Sequence, residues 1–173
     1  MVLMTRWYPL AESDDDFLRS TGIRFAHTVE VPVPPDRVWE AFSADDALVS
    51  FTRAITGADW TSPRPFGIGT TRTVTVGQGA AALRERFYRW DEGSRMTFSV
   101  EAANRPGFRR FAEDVALEPI DGGTRFTWTF AVEPAPWLAP VLKMSRPLLR
   151  KVTRGWADGA ARRAISGAAG GAR

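Results

Sequence analysis

Apolar residues occupy alternate positions from Ile23 to Val31, at Ile23, Phe25, Val29 and Val31, and the one interruption is His27. Arg24, Ala26, Thr28 and Glu30 lie between them and are mostly polar. The pattern predicts a half-buried strand over 23–31 that carries the only histidine of the chain on its inner face. "VPVPPD" ends that strand, because proline has no N–H to give to a ladder. In "PPDRVWEAF" the apolar positions Val38, Trp39 and Phe42 take helical spacing, and Pro35 suits a first helical turn. "ADDALVSFTRAI" predicts a second short helix, and "TGADWTSPRPFGIG" a loop. From residue 70 the period of two returns, with strands over 70–76, 83–90, 95–102, 108–119 and 123–132. The turns between them are "GQGAAA", "DEGS", "NRPG" and "DG". Connections this short join antiparallel neighbours. A long helix starting near Pro140 follows, kinked at Pro147, and "SGAAGGAR" frays.

The expected fold is α+β: an antiparallel sheet of six to seven strands, two short helices after the first strand, and a long C-terminal helix. Residues 1–22 read as a loose arm in which "SDDDFLRS" forms one turn capped by Ser13. Residues 23–166 form the domain, and 167–173 a flexible tail. In this order, "HTVEVPVPPDRVWEAF", "ERFYRWDEGSRMTFSVE" and "AEDVALEPIDGGTRFTWTF" resemble the START-like helix-grip superfamily (SRPBCC). That superfamily includes polyketide cyclase/dehydrase-like and birch-pollen-allergen-like lipid-binding proteins. The resemblance implies a curved sheet wrapped around the long helix, with an apolar cavity between them that takes a hydrophobic small molecule. It speaks to fold more than to function, because the superfamily hosts carriers, cyclases, hydrolases and regulatory domains.

Strand register follows from the turns. The turn at 91–94 pairs Arg89 with Met96, Phe87 with Phe98 and Glu85 with Val100. "NRPG" pairs Val100 with Phe111 and Phe98 with Glu113. Asp121-Gly122 pairs Leu117 with Phe126, Val115 with Trp128 and Glu113 with Phe130. Opposed residues share a face, so Glu85 and Glu113 are drawn inside, and Arg72 joins them beside Val74. Arg72, Val74, Phe87, Phe98, Val100, Phe111, Trp128 and Phe130 are the expected ligand contacts. Trp60 and Phe66 stand at the mouth or lid.

A buried carboxylate is costly unless paired, and Arg72 is the partner for either glutamate. An unpaired glutamate rises in pKa, which makes His27, Glu85 and Glu113 candidate acid–base groups of a cyclase or dehydratase. The alternative for each is structural, His27 for example bonding a backbone carbonyl. No nucleophile elbow, phosphate loop or His–Glu metal spacing occurs, and "GIGTTR" follows a loop rather than a strand. No cofactor is expected.

Along the last helix Val141, Met144 or Ser145, Leu148, Val152, Gly155 and Gly159 are expected to face the sheet. The two glycines either leave room for a ligand or let the helix press on Trp128 or Phe130. Lys143, Arg146, Arg150 and Arg154 are expected on the opposite face, flanked by Lys151, Arg162 and Arg163.

Composition narrows the functions. In 173 residues, 44% are hydrophobic and 25% charged, and there is no cysteine. Disulfides, thiolate metal sites and a cysteine nucleophile are excluded, and one histidine argues against zinc. No spanning helix or signal peptide is predicted, so the cytoplasm is the expected location. The net charge of +3 is uneven: residues 143–173 hold eight Lys or Arg against one Asp, which leaves about −4 for the rest. A basic face beside an apolar cavity suits peripheral contact with an anionic membrane. Nucleic acid is disfavoured, because the aromatics are predicted inside. Three functions follow in order: binding of a lipid, quinone or aromatic polyketide-like molecule, cofactor-independent acid–base catalysis in the same pocket, or partner binding by the basic helix.

Overall fold

The computed structural model describes residues 6–170. Its elements are β1 (Tyr8–Pro9), α1 (Asp15–Ser20), β2 (Ile23–Val31), α2 (Pro35–Ser43), β3 (Ile55–Trp60), β4 (Thr71–Val76), β5 (Ala81–Asp91), β6 (Arg95–Ala103), β7 (Phe108–Ile120), β8 (Gly123–Pro134), α3 (Ala139–Met144) and α4 (Arg146–Gly170). The strands form one antiparallel sheet in the order β2-β8-β7-β6-β5-β4-β3, and β1 joins β6. α2 and α4 pack on its inner face, where Val38, Trp39 and Phe42 from α2 and Ala157, Ala160 and Ala164 from α4 enter the core. This is the α+β helix-grip arrangement.

Most of the expected register is present. Phe87 faces Phe98, Glu85 faces Val100, Phe98 faces Glu113, and Glu113, Val115 and Leu117 face Phe130, Trp128 and Phe126. Two pairs differ. A bulge between Phe87 and Arg89 sets Arg89 opposite Thr97, not Met96. The β6–β7 ladder stops at Ser99 and Ala112, short of Val100 and Phe111. The N-terminal arm occupies the space beyond: Tyr8 and Pro9 pair with Ala103 and Ala102, Leu10 N–H donates to Glu101 O, and Ala11 N–H to Arg109 O.

That arm is therefore not loose over the described residues. Asp14, rather than Ser13, caps α1 by accepting from Phe17 N–H at 2.8 Å. Phe17 and Leu18 are buried on the outer face of the sheet against Ala112 and Ala131. Alanines on β7 and β8 leave the shallow seat that this helix fills.

Three other expectations are corrected. Residues 44–54 form successive turns, because Leu48 at φ 68° takes the left-handed region and stops helix propagation. Ile55, expected at the end of that helix, and residues 56–60, expected as loop, form the edge strand β3 and pair with β4 across a bulge that absorbs the poor strand propensity of Gly57. The C-terminal helix breaks at Ser145, and Pro147 sits in the first turn of α4, where a missing N–H costs least. α4 then runs to Gly170, through the first residues of the expected tail. Residues 171–173 lie outside the described residues.

Candidate functional site

Arg72, Glu85 and Glu113 come together on the inner face because β4, β5, β6 and β7 are adjacent and in register. Arg72 faces Glu85 directly, and Glu113 lies beyond Phe98 on β6. The Nε and Nη2 of Arg72 both donate to Glu85 Oε2, at 2.8 and 2.6 Å. The guanidinium carbon lies 4.9, 5.2 and 5.0 Å from the ring centres of Trp60, Phe87 and Phe98. The cation thus has an anion in its plane and aromatic rings around it. Glu113 accepts from Trp128 Nε1 at 2.8 Å.

Burial sets the protonation. Glu85 is 2% exposed and Glu113 6%. Desolvation raises the Glu85 carboxyl from its ordinary value while Arg72 pulls it down. Glu113 has no cation of its own. Desolvation first, and the Glu85 charge second, push it up to about 8, against the opposing effects of Trp128 and Arg72. Glu113 therefore stays protonated through neutrality, which avoids a buried charge without a cation of its own.

His27 is elsewhere. It is buried on β2, opposite Trp128, and its Nε2 lies 2.7 Å from Thr153 Oγ1 on α4. Thr153 donates its hydroxyl proton to Leu149 O at 2.9 Å, so it accepts from His27, which fixes the Nε2–H tautomer. Desolvation, then Arg154 and Arg150, hold the imidazole below its usual value and keep it neutral. His27 ties strand to helix.

The expected ligand contacts Phe87, Phe98, Val100, Trp128, Phe130 and Val74 are buried, and the rings pack on one another. Phe87 lies 4.7 Å from Phe98, Trp128 lies 4.8 Å from Phe130, and Phe42 from α2 lies 5.1 Å from Trp128. Phe111 is only half-buried, beside Phe108. Trp60 donates its Nε1–H to Ala44 O and covers Arg72, and Phe66 stacks on Trp60 at 4.2 Å.

Open space lies at the surface. A groove of about 690 Å³ runs between residues 49–54 and α4. Val49, Phe51, Leu148, Val152 and Trp156 give it apolar walls, and Arg53, Lys151 and Arg162 give it cations. Its existence depends on a helix phase that pattern reading missed. The core-facing series of the C-terminal helices is Leu142, Leu149, Thr153, Trp156 and Ala160, one residue later than expected at nearly every step. One residue is a rotation of about 100°. The expected core residues Val141, Met144, Leu148 and Val152 are instead exposed, at 55%, 84%, 62% and 38%. Lys143, Arg146, Arg150 and Arg154 are exposed too, but Arg150 and Arg154 lean toward β2, over the Phe25 ring and near Thr28 O.

The glycines resolve separately. A Cβ on Gly159 would sit 2.0 Å from Phe51 O, so this glycine lets α4 press on the backbone of residue 51, not on Trp128 or Phe130. A Cβ on Gly155 would meet nothing within 4 Å.

Among the described residues no group of three or more His, Asp or Glu is placed to hold a metal ion. No described helix is long and apolar enough to cross a membrane.

Known proteins share this architecture. The START superfamily protein of Mycobacterium smegmatis superposes with a TM-score of 0.68 at 17% identity, covering 84% of this chain and 99% of that one. Ara h 8.0201 superposes with a TM-score of 0.62 at 18% identity, covering 83% and 97%. An uncharacterized protein of Mycobacterium tuberculosis is 34% identical over 147 residues, 85% of this chain and 87% of its own length. Residues 22–167 match the family described as polyketide cyclase / dehydrase and lipid transport. With that match spanning β2 to β8 and most of α4, the chain belongs to the polyketide cyclase / dehydrase and lipid transport family.

Proposed function

We propose that the protein binds a hydrophobic small molecule bearing an anionic end in the groove between residues 49–54 and α4. Family membership supports hydrophobic-ligand or polyketide-related function in general, and we assign it to the groove. The observation that carries the reading is the composition of its walls: six apolar side chains, Ala54 included, with Arg53, Lys151 and Arg162 among them and no carboxylate. Apolar walls with a few charged groups are what an amphipathic ligand requires.

Binding is favoured over acid–base catalysis because the proton-transfer candidates lie apart from the groove. Glu85 and Glu113 are sealed behind aromatic rings, and His27 spends its Nε2–H on Thr153. The left-handed Leu48 immediately precedes the groove wall, and a strained residue of this kind persists where the surrounding structure fixes it.

The test uses 1-anilinonaphthalene-8-sulfonate, an aromatic anion, titrated into the intact protein. Saturable binding is expected, weakened at least about tenfold by Gly155→Phe, which fills the groove, and by Lys151→Glu. Binding that neither variant changes, or no saturable binding at all, refutes the site.

A further inference from the structure

We propose that the outward face of α3 and the first turns of α4 is a docking surface for bilayers containing anionic phospholipid. Trp137, Val141, Met144 and Leu148 follow one another at spacings of four, three and four. Val141 and Met144 share one side of α3, Trp137 just before α3 is 64% exposed, and Leu148 stands exposed in the first turn of α4. Large apolar residues scattered singly over a surface are ordinary, but four exposed within twelve consecutive residues are not. Among the described residues they stay exposed, because the inward series Leu142, Leu149 and Thr153 makes the contacts to the core.

Charge identifies the occupant. Lys143, Arg146, Arg150 and Lys151 flank the apolar row, and among the described residues none of them forms an ion pair. The one carboxylate on these helices, Asp158, is engaged by Arg154 at 3.0 Å. An apolar ridge with unpaired cations beside it matches a helix lying in the plane of a lipid–water interface, with Trp137 at headgroup depth and the cations on phosphates. An acidic protein or a nucleic acid would satisfy the cations but leave Val141, Met144 and Leu148 in water. A membrane satisfies both. The surface adjoins the groove, since Leu148 and Lys151 belong to each, but the inference stands on the outward residues and does not require a ligand in the groove.

The experiment is flotation of the full chain with vesicles of phosphatidylcholine alone and of phosphatidylcholine mixed with phosphatidylglycerol, at low and high salt. Two double variants avoid every groove-lining residue: Val141→Ser with Met144→Ser, and Lys143→Glu with Arg146→Glu. Binding is expected only to the phosphatidylglycerol vesicles, to fall steeply with salt, and to weaken at least about tenfold in each double variant with melting temperature unchanged. Absence of vesicle binding overturns the proposal, as does binding that survives loss of the apolar pair. Tighter binding of the same face to polyglutamate or to DNA overturns it in favour of an acidic partner. A concentration-dependent dimer abolished by the apolar double variant assigns the face to a second copy of the chain instead.

Discussion

Two regions of this molecule break the rule of apolar inside and polar outside, and they break it in opposite directions. The inner face of the sheet seals an arginine and two glutamates among aromatic rings. The outer face of α3 and α4 shows water a tryptophan, a valine, a methionine and a leucine. The interior breach is repaired within the chain, because each buried polar group has a partner: Arg72 with Glu85, Glu113 with Trp128. The exterior breach has no such repair. A compensated inversion points to structure, and its signature is stability and its dependence on pH. An uncompensated one points outward, to a partner, and its signature is binding with stability untouched.

The largest effect should come from undoing the interior repair. Arg72→Met leaves Glu85 buried without its cation, a change that costs ~3–5 kcal/mol in comparable pairs. For a chain of this size the melting temperature should fall by roughly 10 °C. Adding Glu85→Leu should return most of the loss, since two well-packed apolar residues replace a buried ion pair at little cost. Thermal unfolding of wild type, single and double variants measures this. A single variant as stable as wild type would show that the pair is better solvated than its burial implies.

Next in size is the pH dependence. Glu113 is raised in the folded protein from an ordinary 4.5 to about 8. Between those values the folded state holds a proton that the unfolded state has released. Its stabilising contribution is therefore complete below about pH 4.5 and is lost as pH rises through about 8. His27 acts in the reverse sense and over a lower window. Its folded value lies below 6.5, so stability rises with pH up to that point as the unfolded imidazole gives up its proton. Glu113→Gln should thus flatten the decline above pH 6.5 and leave the His27 rise in place. Urea midpoints measured across the range read this directly. An unchanged slope in the variant would assign the decline to another group.

How much of this was legible in the sequence follows from which interactions leave a local trace. Short turns fix register, so Asp121-Gly122 and "DEGS" were enough to bring Glu85 and Glu113 inside. The bulge at Arg89 and the arm wedged between β6 and β7 were not legible, because each depends on a strand's distant neighbour. β3 was missed because "ITGADW" carries glycine and aspartate, and only pairing with β4 rescues it. The helix phase failed for a different reason. Pattern reading assigns the most apolar stripe to the core, but α4 lies so close to Phe51 and the aromatic sheet that the core has room mainly for Ala157, Ala160 and Ala164. Alanine barely registers in an amphipathic pattern, so the stronger outer stripe reads as the inner one. The candidate groove is hidden for the same reason, since Leu148, Val152 and Gly155 on its α4 side are residues that pattern alone assigns inward.

The smallest effect sharpens the contrast because it falls on two glycines one turn apart. Gly155 faces the open groove with free space where a Cβ would go, so Gly155→Ala removes only the entropic disadvantage of glycine in a helix. It should stabilise by ~0.5–1 kcal/mol, a rise of roughly 1–4 °C. At Gly159 the same methyl would fall 2.0 Å from Phe51 O, inside any contact distance, so Gly159→Ala should lower the melting temperature. The opposite signs depend on the phase of α4 alone. Had the helix been turned to bury Val141 and Leu148, Gly155 would sit against the sheet, and its alanine variant would destabilise as well.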